Sequence, residues 1–147
     1  MSDARPRLDQ INLVTTNTPE SVKFYRLLGL DIPEAPPDWD PHHRSANLED
    51  GSDIDLDIDS TAFSTIWGSE DIPTGALIGF RVTSRAAVDS LHAKLTAAGH
   101  RSLRAPYDAF WGIRYAIVED PDGTAVGIMS APSQEHRSPP PDVSALE

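Results

Sequence analysis

Two successive stretches of about 50 residues follow the same order of hydrophobic periods, and this duplication limits the possible folds more than any other feature of the sequence. In the first stretch, Leu8, Ile11, Leu13 and Val14 predict a strand over Leu8–Thr15. Asn17 or Thr18 is placed to cap a helix, and Pro19 suits its first turn. Val22, Phe24, Tyr25, Leu27 and Leu28 supply the helix's apolar stripe, which ends at Gly29. A short strand over Leu30–Ile32 and a Pro-studded loop over Pro33–Pro41 follow. Strands over Arg44–Leu48 and Asp53–Ile58 come next, joined by a turn at Asp50-Gly51.

The second stretch repeats that order. Leu77–Val82 reads as a strand, Ser84 caps a helix striped by Val88, Leu91, Leu95 and Ala98, and Gly99 ends it. His100–Leu103, Ile113–Val118 and Ala125–Met129 complete the strands, with a turn at Pro121-Asp122-Gly123. The expected organisation is an α+β protein with one βαβββ module over residues 8–58, a linker over 59–75 and a second module over 76–130. Residues 1–7 are polar and expected to be flexible. Residues 131–147, rich in Ser and Pro, are expected to be a disordered tail; whether Leu146-Glu147 is native stays open.

Composition removes several functions. Among 147 residues there are 12 Lys and Arg against 23 Asp and Glu, a formal net charge of −11. Such a surface repels phosphate backbones and anionic leaflets, so neither nucleic acid nor membrane is an expected partner. No apolar run approaches the roughly 18 residues of a membrane span. Cys is absent, which removes disulfides, thiolate metal sites and Cys nucleophiles. No segment after Met1 resembles a signal peptide, and a cytoplasmic protein is expected. No GxGxxG, Walker A, HExxH or nucleophile-elbow pattern occurs.

The chemistry that remains is carboxylate and aromatic. Asp53 to Asp59 alternates strictly, which puts Ile54, Leu56 and Ile58 on one sheet face and four carboxylates on the other. Carboxylates two residues apart on one strand lie about 7 Å apart and raise one another's pKa, a strain that a cation relieves. A solvated outer face is the competing reading. The loops are rich in aromatics (Trp39, Phe63, Trp67, Tyr107, Phe110 and Trp111), which suit a flat or cationic organic molecule, or a seal between modules. Asp40, His42 and His43 sit together in the Pro-rich loop. Adjacent His residues on extended chain point opposite ways, so these read as surface histidines, and His92, His100 and His136 carry no catalytic context either. Arg81 either neutralises the acidic row or holds an anionic group of a ligand.

The segments LDQINLV, SVKFYRLLGLDI, AAVDSLHAKLTAAGH and FWGIRYAIVEDPDGTAVGIM resemble the vicinal oxygen chelate superfamily over about residues 8–130. That superfamily includes glyoxalase I, extradiol dioxygenases, and fosfomycin- and bleomycin-resistance proteins. The resemblance implies a mixed sheet curled around a cleft, with helices on the outer face and Asp55 and Asp57 facing the cleft. It also implies a divalent metal at four positions, which fall here on Gln10, Asp55, Leu77 and Gly127. Leu and Gly side chains carry no lone pair, so neither metal nor other cofactor is expected.

The expected function is therefore that of a bleomycin-resistance-like protein. It binds a small organic molecule, aromatic or cationic, without metal, and protects by sequestration rather than turnover. The ligand-binding residues expected are Gln10, Asn12, Asp55, Asp57, Trp67, Arg81 and Trp111, with no catalytic residue, and the resemblance implies a homodimer. The alternative is a glyoxalase- or dioxygenase-type enzyme (lyase, isomerase or oxygenase) with a degenerate metal site, or with Asp55 as a metal-free general base. A domain that binds another protein is a third reading.

Overall fold

The computed structural model describes residues 5–47 and 53–146. The expected Asp50-Gly51 turn, most of the N-terminal stretch expected to be flexible, and Glu147 lie outside them. The chain divides into two compact units: Asp9–Leu77 with the chain end from Asp142 onward, and Ile78–Pro141 with the chain start up to Leu8. Each is α+β with a mixed sheet and a helix packed on it.

In the unit built on Asp9–Leu77, β1 (Arg7–Thr15) runs parallel to β3 (Asp55–Ser60). Strand β2 (His43–Asn47) pairs antiparallel with β3, giving the order β2-β3-β1. The register sets Gln10 beside Asp55 and Asn12 beside Asp57; across the other edge of β3, Ser45 faces Asp57 and His43 faces Asp59. Helix α1 (Thr18–Leu27) starts at Asn17, whose side chain accepts the Glu20 N–H. It buries Val22 against Ile32, Ala46 and Ile58, with Leu13, Tyr25 and Leu30 around them.

Three expectations change in this unit. The α1 stripe is narrower than expected: Phe24, Leu27 and Leu28 are 57%, 88% and 68% exposed. Positions 22 and 25 share one helical face, whereas 24, 27 and 28 share another, and only the first meets the sheet. The strand expected over Leu30–Ile32 does not form. Arg26 donates to the Ile32 carbonyl through Nε (3.2 Å) and Nη2, and Arg44 Nη2 takes the Pro33 carbonyl at 2.6 Å. With those acceptors occupied and prolines following, no ladder can propagate. Within the expected linker, α2 (Thr61–Trp67) forms, its first turn capped by Ser60 Oγ, which accepts the Phe63 N–H at 3.0 Å. Its aromatic and β-branched residues have modest helix propensity, and burial of Phe63 and Trp67 holds the turn pair together.

In the other unit, β4 (Gly75–Arg81) is parallel to β7 (Ala125–Met129). Strand β7 pairs antiparallel with β6 (Arg114–Glu119), which pairs antiparallel with β5 (Ser102–Asp108). Helix α3 (Arg85–Ala97), capped by Ser84, packs Val88, with Ala87, Leu91 and Leu95, over Val82, Ala116, Val118 and Ile128. Strand β5 reaches further than the expected His100–Leu103. It contains Pro106 and two register shifts, both tolerated because it is an edge strand. Among the described residues, no helix is long and apolar enough to cross a membrane.

The Ser- and Pro-rich end, expected to be disordered, is anchored in both units. The Ser133 N–H donates to the Gly112 carbonyl (3.1 Å) and the Ser138 N–H to the Phe110 carbonyl (2.9 Å). Further on, Val143 is 2% exposed. Backbone pairing and one buried side chain thus give this polar segment partners that composition does not reveal. Gly112 makes the first contact with a φ of +97°, and a Cβ there would collide with the Ser133 carbonyl. Gly112→Ala is expected to cost about 1–3 kcal/mol and to speed proteolysis after residue 131. Denaturant melts with timed limited digestion check this, and an unchanged cleavage rate would show that the anchor does not hold the tail.

Candidate functional site

Alternation along β3 directs Leu56 and Ile58 (7% and 1% exposed) into the apolar layer and sends Asp55, Asp57 and Asp59 to the opposite face. Gln10 and Asn12 of β1 and His43 and Ser45 of β2 share that face, and hydrogen bonds join six side chains from the three strands. Ser45 Oγ donates to Asp57 Oδ1 (2.7 Å) and Gln10 Nε2 to Asp57 Oδ2 (2.8 Å). Gln10 Nε2 also donates to Asn12 Oδ1, and Asn12 Nδ2 donates to Asp59 Oδ2 (2.9 Å). His43 Nδ1 donates to Asp59 Oδ1 at 2.5 Å, closing the chain.

His43 is therefore not the surface loop histidine expected. It lies on β2 against a carboxylate that is 1% exposed. Burial works against its imidazolium, but the hydrogen bond and the charge of Asp59, then the charge of Asp57, outweigh it and raise the pKa. Burial also pushes Asp59 up, opposed by His43, Asn12 and the Trp67 N–H. The proton of this pair belongs on the imidazole, because Asp59 keeps further donors that a carboxylate satisfies best. Asp57 is raised to about 6, by burial first and then by Asp59. His42 turns the other way, as adjacent residues on extended chain do. It is buried, with Nδ1 2.9 Å from Ser60 Oγ.

A depression of about 440 Å³ lies beside β2, lined by Pro33, Glu34, Ala35, Pro36, Trp39 and His43 to Ser45. The imidazole of His43 belongs to a cluster of three mutually contacting rings. Trp39 stands edge-on at 6.0 Å, and Phe63 lies 5.3 Å away, tilted by 42°. Trp39 and Phe63 are themselves in edge contact at 5.5 Å. Below this group, Arg44 is nearly buried, bound to Asp40 Oδ1 at 2.7 Å and to the Pro33 carbonyl.

Of the seven residues expected to bind ligand, Gln10, Asn12 and Asp57 are joined in the hydrogen-bonded chain, and Asp55 is registered beside Gln10. Trp67 is buried at the end of α2 and favours the ionised form of Asp59. Asp59, which is not among those seven, is the most enclosed carboxylate of its row. Arg81 and Trp111 belong to the other unit, where Trp111 packs edge-on against Phe110 (4.9 Å) and Tyr115 (6.0 Å). Sequence reasoning missed His43 and Asp59 as a pair. The available signal was a His one strand away from an alternating acidic row.

The positions where the resembled superfamily holds a metal do not fit one here. Leu77 is 1% exposed and apolar and Gly127 has no side chain, which leaves one neutral amide and one carboxylate of the four positions, a poor donor set for a transition metal. Among the described residues, no three His, Asp or Glu side chains converge to hold a metal ion.

A profile of the Glyoxalase/Bleomycin resistance protein/Dioxygenase superfamily matches residues 7–128. No curated protein sequence matches the chain. Among solved structures, a glyoxalase/bleomycin resistance protein/dioxygenase superfamily member from Vibrio splendidus 12B01 is 15% identical, with a TM-score of 0.57, covering 86% of this chain and 100% of its own. An NAD-dependent benzaldehyde dehydrogenase from Legionella pneumophila is 20% identical, with a TM-score of 0.60, covering 82% and 96%. A methylmalonyl-CoA epimerase variant from Streptomyces coelicolor, in complex with 2-nitronate-propionyl-CoA, is 20% identical, with a TM-score of 0.54, covering 86% and 98%. At these identities the likeness is one of fold.

The buried acids set a pH dependence. Because the pKa of Asp57 is raised on folding, the native state holds more protons than the unfolded state between about pH 4 and 6, and stability falls as pH rises through that window. The raised His43 adds stability that is complete below its unfolded value and is lost as pH climbs through its folded one. Asp57→Asn is expected to flatten the fall between pH 4 and 6 by on the order of 2–3 kcal/mol in urea titrations. A variant curve parallel to wild type would place the titration elsewhere.

Proposed function

The chain belongs to the Glyoxalase/Bleomycin resistance protein/Dioxygenase superfamily, and on that footing we propose that it holds a small, flat organic molecule in the depression beside β2, without a metal. The observation that carries this reading is that apolar and aromatic residues, Pro33, Pro36 and Trp39, line one depression together with the oriented His43. A few converging polar groups in a mainly apolar concavity are what orient a ligand of this size.

The acidic row supports a cationic ligand less than its composition suggests, since Asp57 and Asp59 already accept bonds from Ser45, Gln10, Asn12 and His43. Ring stacking on Trp39 is the main attraction in this reading. Sequestration or resistance follows from binding alone by mass action, and a cytoplasmic setting belongs to the same proposal. The homodimer is proposed as well, since the exposed α1 face of Phe24, Leu27 and Leu28 is apolar surface that a second copy would cover. An enzyme remains the second reading, favoured by the His43–Asp59 pair.

The test is titration of intrinsic fluorescence with neutral and cationic aromatic compounds of one or two rings, in wild type and in Trp39→Ala. Wild type is expected to quench on binding, and loss of the stacking wall to weaken affinity about tenfold. Equal affinity in the variant, with both proteins folded by circular dichroism, would move the ligand away from Trp39.

A further inference from the structure

We infer that the depression beside β2 selects flat aromatic compounds that carry an ionisable hydroxyl, and that the ligand oxygen and His43 Nε2 share one proton. The inference rests on the binding reading above and names the ligand's polar group.

It starts from the two ring nitrogens. Nδ1 is committed to Asp59 Oδ1 at 2.5 Å, and a carboxylate only accepts, so Nδ1 carries a hydrogen. When the ring is neutral, Nε2 is then the lone-pair nitrogen; when the ring is charged, Nε2 carries the second hydrogen. Among the described residues, nothing hydrogen-bonds to Nε2, and the ring lines the depression.

The ring's orientation is set from several sides. Trp39 and Phe63, which also touch each other, pack against it from adjacent directions, and Asp59 holds Nδ1. Asp59 is held in turn by Asn12, and Asn12 by Gln10, both on another strand. A buried ion pair is weak grounds for stability by itself, because apolar residues of similar volume pack as well or better. A buried carboxylate that fixes one tautomer at the edge of a concavity is the arrangement that prepares an imidazole to exchange a proton.

The aromatic wall supplies the rest of the specificity. A ring seated against Trp39 and the prolines, with a hydroxyl directed at Nε2, satisfies both sides of the depression. The step is an acid–base transfer alone. The O–H bond yields its proton to the Nε2 lone pair, the electron pair stays on the oxygen, and Asp59 holds the positive charge that forms on the ring. A neutral phenol on neutral His43 and a phenolate on the imidazolium are the same one-proton complex. The charged groups around this line are Asp57 and Asp59 on β3, Glu34 at the rim, paired with Arg26, and Arg44, paired with Asp40. The proton-free complex sets a phenolate against the Nε2 lone pair and the nearby carboxylates, and the two-proton complex sets the charged Nε2–H against a neutral hydroxyl in place of a phenolate, so both are weaker than the one-proton complex.

The test compares 4-nitrophenol with nitrobenzene, which lacks the hydroxyl, by calorimetry and tryptophan quenching across pH on the full chain. 4-Nitrophenol is expected to bind about tenfold more tightly, with a bell-shaped pH dependence, while nitrobenzene binding stays flat with pH. His43→Gln is expected to abolish the bell. Asp59→Asn, which leaves the imidazole without its carboxylate, is expected to move the acid limb to lower pH, a change that a purely structural role of Asp59 would not produce. Should either variant fail to fold, the wild-type comparison still decides, because equal or pH-independent affinities for the two compounds overturn the inference. Nitrobenzene binding as tightly as 4-nitrophenol overturns this inference alone; failure of both compounds to bind overturns it together with the binding reading.

Discussion

A carboxylate that is 1% exposed must be answered from within the protein, and the demands of Asp59 organise the surroundings of the candidate site. An unpaired charge in that position would cost several kcal/mol, so folding has to deliver donors to both of its oxygens. Asn12 supplies one from β1 and His43 supplies the other from β2. The indole of Trp67, from the helix that follows β3, favours the same ionised form. Three strands and a short helix are thereby tied to one side chain. A register slip of one residue in β1 or β2 would turn those donors to the wrong face.

The same constraint explains why the polar face is a chain of amides rather than a row of open acids. Asn12 spends its oxygen on Gln10 and its nitrogen on Asp59, and Gln10 passes the connection on to Asp57. Each amide can both give and accept, so two of them bridge carboxylates that would otherwise only repel. What emerges at the end of the line is an imidazole with one nitrogen committed and its plane fixed beside an aromatic wall. The proposed site in this unit is thus a consequence of satisfying buried polar groups.

The two units share an architecture and divide their charges differently. In both, the first and last strands pair in parallel and a capped helix covers one face. In the unit built on Ile78–Pro141, Arg114 bridges Asp89 at 3.0 Å and Asp108 at 3.3 Å near the surface. Exposed pairs of that kind contribute little to stability and pose no burial problem. The buried His–carboxylate pair belongs to the other unit. A duplicated pattern of hydrophobic periods therefore does not imply a duplicated site.

Periodicity and capping chemistry are local, and they were legible. Alternation assigned the correct face to Asp55, Asp57 and Asp59, and Asn17 and Ser84 marked the helix starts because their side chains accept bonds from residues three positions on. The α+β class and the repeated order of elements follow from the same short-range rules. Nonlocal competition was not legible. The Leu30–Ile32 strand is absent because Arg26 and Arg44 take the carbonyls of Ile32 and Pro33, and α2 exists because burial of Phe63 and Trp67 outweighs weak propensity. His43 reads in sequence as a loop residue among prolines and acids. Only the pairing of β2 with β3 sets it opposite Asp59, 16 positions along the chain, and gives its imidazole the partner that defines the site. The sequence by itself determined which residues could face each other, because side-chain direction along a strand is a property of the backbone. The tertiary structure decided which of them meet, because register, burial and the satisfaction of a buried charge are properties of the assembled strands.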